Sequence, residues 1–319
     1  MTIGKNKKQA QAGIQKHTTS KQSVWTQIKR DRYLYLLLLP ALLVTLVFAY
    51  VPMFGLVMAF QDFNIFKGFL HSDWVGFDNF IKIFTQSKFL TAIWNTLMCS
   101  VLNLLICFPA PIILALLINE LNDGIFKKVT QTVSYLPHFL SMISVIGIIH
   151  MVFGRDGFVN DAYLALGGSE RIVFLAKQDL FIWFVVGTML WKDTGWGTVI
   201  HLANLSSISP DLYEASSIDG ANRLQKLRYI TLPHMIPTVV ILLIFQMGTL
   251  FNSNFELIYG LQNPYIDFEV ISTLVYQTGI KSGNYSMSTA LGFAQGLVAL
   301  VLVLGSNWIA KKTTGNGII

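Results

Sequence analysis

Charge is what this sequence has least of. Only 13% of its 319 residues are Asp, Glu, Lys or Arg, about half the ~25% usual for a soluble domain. The 53% hydrophobic share and a mean hydropathy of +0.54 then exclude a soluble globular class and a disordered one. Cysteine is nearly missing. Cys99 and Cys107 are too few for a disulfide framework or a Cys-based zinc or iron–sulfur centre, and their shared apolar run makes them small buried residues. Proline and glycine, 9 and 24 residues, follow no period, which excludes a collagen-like chain. A phosphate-cradling G-x-x-x-x-G-K-[ST] loop is also lacking, since Gly279-Ile280-Lys281-Ser282 has no glycine before the lysine. His138 and His150 stand twelve apart, about 120° around a helix; they do not share a metal-binding face and read as satisfied interior histidines. No Ser/His, paired-Asp or zinc constellation supports an intramembrane enzyme.

What the chain does have is long apolar runs, and a membrane crossing needs about 20 such residues. The first starts at Tyr33 and ends near Gly55. Five more are expected at 97–118, 133–153, 180–201, 236–251 and 290–310, the fourth interrupted by Lys192 and Asp193. The fold class is therefore an all-α membrane protein with six transmembrane helices. Placing alternate loops on one side puts fifteen of the 23 Lys and Arg residues there, with residues 1–32, and seven on the other. The excess of positive charge marks the cytoplasmic side, so both termini are expected in the cytoplasm. Residues 1–32 read as a basic tail suited to an anionic inner leaflet, not as a signal peptide, because the run that follows is too long. The membrane-spanning body covers 33–310, and 311–319 form a C-terminal tail.

One cytoplasmic loop, 205–235, is specified in more detail than a connection requires. Ser209 is an N-cap, Pro210 suits the first helical position and Asp211 complements the positive helix end. A helix over 210–219 follows, with Leu212, Ala215 and Ile218 near one face. Gly220 stands where a left-handed residue is wanted. A second short helix, 221–230, is expected to end before Pro233, with Pro237 in the first turn of the next span. Such an element either presents a rigid surface to a cytoplasmic partner or lies on the bilayer surface.

Glu214-Ala215-Ser216, three residues, Gly220, nine residues, Ile230-x-Leu232-Pro233 resembles the EAA loop of ABC importer permeases, with Ser216 in place of a second alanine. The phrases LYEASSIDGAN and ITLPHMIPTVV, with WVGFDNF, FPAPIILALLINEL and YLPHF elsewhere, are similar to the sugar-importer permeases, in particular those handling polysaccharide-derived oligosaccharides. The resemblance runs from Tyr33 to the end. It implies the type I ABC importer permease fold and a bacterial inner or plasma membrane location. It also implies a role as half of an oligosaccharide pathway, with no catalysis on this chain. The loop would couple to a cytoplasmic ATPase through Glu214 as anchor, Ala215 as close-approach surface and Gly220 as turn, with Asp219 and Ile230 in the same coupling set, and Leu232 and Pro233 would fix the lever to the fifth span. The partners implied are a second permease subunit, two ATPase subunits, an extracytoplasmic solute-binding protein, the oligosaccharide and membrane lipid, with no nucleic acid. ATP and Mg would sit on the ATPase, and this chain would bind no cofactor and no metal.

Polar residues inside spans are functional candidates by default. Lys192 and Asp193 either face the bundle interior or, if the span begins near Gly195, lie in the outer mouth. Asn252, Asn254 and Glu256 offer hydrogen bonds to a hydroxyl-rich ligand, and Trp191, Trp196 and Phe255 offer stacking faces; the competing reading is contact with a second permease subunit. Lys192 is compatible with a uronate substrate. The alternative function, an ion-coupled secondary transporter of a small polar solute, rests on Lys192 and Asp193 alone. The outer loops 62–92 and 259–288 would receive the binding protein.

Overall fold

A computed structural model of the protein describes residues 29–252 and 254–315. Most of the basic tail 1–32 and the end of the tail 311–319 thus lie outside the described residues. The chain forms two compact units, Met1–Gly55 and Leu56–Ile319. The first holds α1 (Arg32–Thr45), carried on by a π turn at Leu46–Tyr50.

The second unit opens with a two-stranded clip in which Gln61 and Asp62 pair antiparallel with Trp74 and Asp73, with α2 (Gly68–His71) between them. Then come α3 (Asp78–Thr85), α4 (Ser87–Leu102), α5 (Pro109–Asn119), α6 (Ile125–Tyr135), α7 (Met142–Phe153) and α8 (Phe158–Ala165). They are followed by α9 (Gln178–Ser206), α10 (Pro210–Ile218), α11 (Arg223–Lys226), α12 (Leu232–Thr249), α13 (Phe255–Leu261), α14 (Ile271–Tyr276) and α15 (Tyr285–Thr314).

Among the described residues, five helical runs are long and apolar enough to cross a membrane: Arg32–Phe60, Ser87–Asn119, Met142–Ala165, Arg223–Thr249 and Tyr285–Thr313. The expected fourth span, 180–201, lies inside the 29-residue α9 but is not among the five, because Lys192, Asp193 and the adjoining Thr and Gly residues dilute its hydropathy. The expected third span, 133–153, is broken. A 3-10 turn at Leu136–Phe139 closes α6, Leu140 is extended, and Ser141 starts α7 afresh by accepting from the Ser144 N–H at 3.2 Å.

Proline shapes the long runs in a consistent way. π turns at Leu46–Tyr50, Asn103–Cys107 and Leu227–Thr231 each end two residues before a proline, Pro52, Pro109 and Pro233. A proline ring clashes with the carbonyl four residues back and offers no N–H; widening the preceding turn by one residue moves that carbonyl aside and lets the helix continue. The expected stop before Pro233 is accordingly absent. Helix 223–249 runs through Pro233, and Pro237 sits within α12.

Three buried clusters hold the second unit together. Val145, Ile149, Phe181, Val185, Leu257 and Ile258 join α7, α9 and α13. Ile83, Phe89, Ile271, Leu274 and Leu291 join α3, α4, α14 and α15. Ala115, Leu205, Ile208 and Met235 join α5, α9 and α12. Lipid tails are as apolar as these side chains, so close packing and small residues drive helix association in place of water exclusion. Gly195 shows the requirement: a Cβ there would overlap the Ser134 carbonyl at the end of α6, and one at Gly197 would come within 2.7 Å of Pro111 Cγ on α5.

Candidate functional site

The elbow in loop 205–235 is built as its sequence suggests at the first helix and differently at the second. Ser209 Oγ accepts from the Asp211 N–H at 3.3 Å, with Pro210 in the first turn of α10. Gly220 follows at φ +78°. Nothing lies within 4 Å of an added Cβ there, so the left-handed backbone alone demands glycine. Asn222 then opens α11 with a reciprocal cap, accepting from the Gln225 N–H at 2.9 Å while Gln225 Oε1 accepts from the Asn222 N–H at 2.8 Å.

Glu214, Ala215 and Asp219 are exposed, and Leu212 and Ile218 are 52% and 87% exposed. A charged, partly apolar strip therefore faces outward on a capped helix. The other side of the elbow is fastened. Tyr213 Oη bonds Thr231 Oγ1 at 2.9 Å, Lys226 Nζ donates to Ser217 Oγ at 2.6 Å, and Tyr213 and Ile230 pack on the Ala115–Leu205–Ile208–Met235 cluster. Leu232 and Pro233, expected to fix the lever, are exposed on the first turn of α12. The contacts that tie down the back face of the elbow run through Tyr213, Thr231 and Met235, which sequence reasoning missed. Tyr213, the one aromatic residue of α10, was the available signal.

The polar residues of the spans separate into different places. α9 begins fourteen residues before Lys192, so Lys192 and Asp193 both stand well inside a continuous helix. Lys192 is 8% exposed, and its Nζ donates to His138 O at 2.6 Å and Leu140 O at 3.0 Å. These carbonyls are left without helical partners where α6 ends and the chain turns extended. The ammonium is therefore a clamp across a broken span, with two of its three donors committed to backbone carbonyls. Asp193 Oδ1 lies 3.1 Å from His138 Nδ1, and Trp196 stacks on the same imidazole at 4.9 Å and 2°. His150, read as interior, is exposed.

Asp193 lines a cavity of about 430 Å³ with Asn103, Cys107, His201 and Gln246. A second of about 150 Å³, with Ser100, Asn252 and Asn254, shares Asn103, Met189, Gln246 and Thr249 with the first. Gln246 Nε2 donates to Asn103 Oδ1 at 2.8 Å where the two meet, and Gln295 Nε2 holds Asn252 Oδ1 at 3.0 Å. His201 is 3% exposed, and its Nδ1 has no hydrogen-bond partner among the described residues. Trp191 is on the far side of α9, two residues and about 200° from Asp193, against an apolar cavity with Phe153 and Phe184. Phe255 stacks on Tyr259 at 5.3 Å, and Glu256 is exposed and lines neither polar cavity. Asn103 and Gln246 were legible as lone amides in the runs LMCSVLNLLICF and ILLIFQMGT, where a buried polar group calls for an explanation.

Comparison with known proteins gives this helix bundle a family. Residues 107–312 match the family described as binding-protein-dependent transport system inner membrane component. The chain belongs to that family. The permease is 42% identical to Protein LplB of Bacillus subtilis (strain 168) over 305 residues, 94% of this chain and 96% of that protein. It is 41% identical over 291 residues to the polygalacturonan/rhamnogalacturonan transport system permease protein YteP of the same organism, covering 91% of each. Among solved structures it resembles a chain of the bacterial alginate ABC transporter in complex with alginate pentasaccharide-bound periplasmic protein. That match has a TM-score of 0.84 and 38% identity, over 93% of this chain and 100% of that one. The permease is thus an inner-membrane, multi-pass ABC transport component of the sugar-permease kind, and not itself an enzyme.

Proposed function

We propose that the permease forms half of a translocation pathway that imports an oligosaccharide, coupled through loop 205–235 to an ATPase on separate chains. The observation that carries this reading is the elbow: a capped helix with exposed Glu214 and Ala215, a left-handed Gly220, and a back face tied to α12 through Tyr213 and Thr231. A lever must be stiff on its own and joined to what it moves, and this element meets both conditions. α9 is the sixth span, its two charges accommodated by His138 and Leu140, and both termini lie in the cytoplasm, in keeping with the basic residues on that side.

The partners are a second permease subunit, two ATPase subunits that hold ATP and Mg, and an extracytoplasmic binding protein. This chain binds no cofactor. Asp193, Asn103, Gln246, His201, Asn252 and Asn254 present the hydrogen-bonding wall that hydroxyl-rich cargo needs. One relative is named for polygalacturonan/rhamnogalacturonan transport and a solved neighbour for import of the acidic polysaccharide alginate, which supports an acidic oligosaccharide as the substrate class. The ion-coupled alternative loses its footing, since Lys192 is spent on backbone carbonyls and Asp193 on His138.

The test is the assembled transporter carrying Glu214→Arg. Reversing an exposed anchor charge should abolish binding-protein-stimulated uptake in proteoliposomes while the spans still insert and the fold persists. Uptake at the wild-type rate would remove Glu214 from the coupling surface.

A further inference from the structure

A third polar cavity, of about 410 Å³, lies apart from the two described above. Two short helices build it. On α13, Phe255, Tyr259 and Gln262 fall at i, i+4 and i+7 and share one face, while Leu257, Ile258 and Leu261 on the other face are buried and fix the helix. At α14 the Glu269 carboxylate accepts from Thr273 Oγ1 at 2.7 Å and from Gln277 Nε2 at 2.5 Å. A π turn at Gln277–Lys281 then brings Lys281 back over the aromatic face, its Nζ 5.0 Å from the Tyr259 centroid and 5.8 Å from that of Tyr276. None of the ion pairs among the described residues involves Lys281.

Lys281 is the one cation of the lining, and its hydrogen bond to Tyr259 lifts its pKa further above the usual lysine value, so it stays charged. The glutamine nitrogens are committed, Gln262 Nε2 to Phe268 O at 2.7 Å and Gln277 Nε2 to Glu269. Their carbonyl oxygens remain as acceptors, and a carboxylate accepting two bonds keeps further lone pairs. The cavity thus offers one held cation beside a bank of acceptors. By chain order it follows the 27-residue run Arg223–Thr249, about 40 Å long, and so lies across the membrane from the elbow.

We propose that this cavity is an extracytoplasmic subsite for a uronate ring of the cargo, with Lys281 taking the ring carboxylate and Glu269, Gln262 and Gln277 accepting from ring hydroxyls. The proposal rests on the sugar-permease reading. Saturation-transfer NMR on the purified complex without its binding protein, titrated with galacturonate trimer, reads the site directly. Lys281→Met keeps an apolar stem between the rings and removes the charge. It should weaken trimer binding about five- to tenfold, the range for a charge-assisted bond partly screened by solvent. A neutral galactose trimer should change less than about twofold, because it has no carboxylate for the ammonium. Glu269→Gln removes the opposing charge and should shift galacturonate binding the other way. Equal galacturonate affinity in wild type and Lys281→Met would overturn the subsite, as would a loss of binding-protein affinity in its place, which would make the face a protein contact. Failure of the wild-type complex, with its binding protein, to take up either trimer would instead bring down the sugar-permease reading.

Discussion

Lys192 illustrates how a single residue changes meaning once its partners are known. A lysine in a span costs on the order of 2.5–3.5 kcal/mol at the bilayer centre, which marks it as functional until two carbonyl partners, His138 O and Leu140 O, supply the reason for its presence. Lys192→Met should therefore act on stability, leaving two buried carbonyls unpaired at about 1–3 kcal/mol each. It should lower the thermal midpoint of the detergent-solubilised protein without changing which sugars are carried; an altered sugar preference at unchanged stability would return Lys192 to the pathway. Gly220 was legible in full, because a left-handed C-terminal residue is a local requirement. With open space around its Cβ position, conformation alone decides. Gly220→Asn, which tolerates that backbone, should keep most uptake, while β-branched Gly220→Val should lose it. Equal uptake by the two variants would mean that the turn is not what matters.

Elements were harder to read than residues. The helix stop expected before Pro233 did not occur, because a π turn ending two residues upstream spreads the strain and the helix passes through. Conversely, the run 133–153, expected as one span, breaks at Leu140, between Pro137 in the 3-10 turn and the Ser141 cap. The break is stabilised from outside, by Lys192 and by Asp193 and Trp196 on the His138 ring. Helix contact follows the same rule. Gly195 looks like any glycine in a span until α6 is seen to end against it. Gly195→Ala should push α9 away from Ser134, at several kcal/mol for an overlap that backbone must absorb. Yield of folded protein by fluorescence size-exclusion chromatography should fall sharply, whereas Gly187→Ala, with nothing within 4 Å of the added methyl, should be neutral.

At the scale of the whole molecule, the proposed six-span arrangement makes a prediction about sides. In a background lacking Cys99 and Cys107, a cysteine at Ser217 should react with a membrane-impermeant maleimide only after the membrane is opened, and one at Ser282 should react from outside in intact cells. The same accessibility at both positions would place an odd number of crossings wrongly and undo the direction of coupling. Composition, run length and basic asymmetry were sufficient for membrane class and approximate spans, because partition into lipid depends on each segment almost independently. The elbow, too, was legible, since caps and a left-handed glycine act within a few residues. What only the tertiary structure decided was which polar side chains meet. Asn103 with Gln246, Lys192 with a distant helix end, and Lys281 with Tyr259 are separated by 143, 54 and 22 residues or so in the chain, and hydrogen bonds of such range depend on how helices pack, which no local pattern encodes.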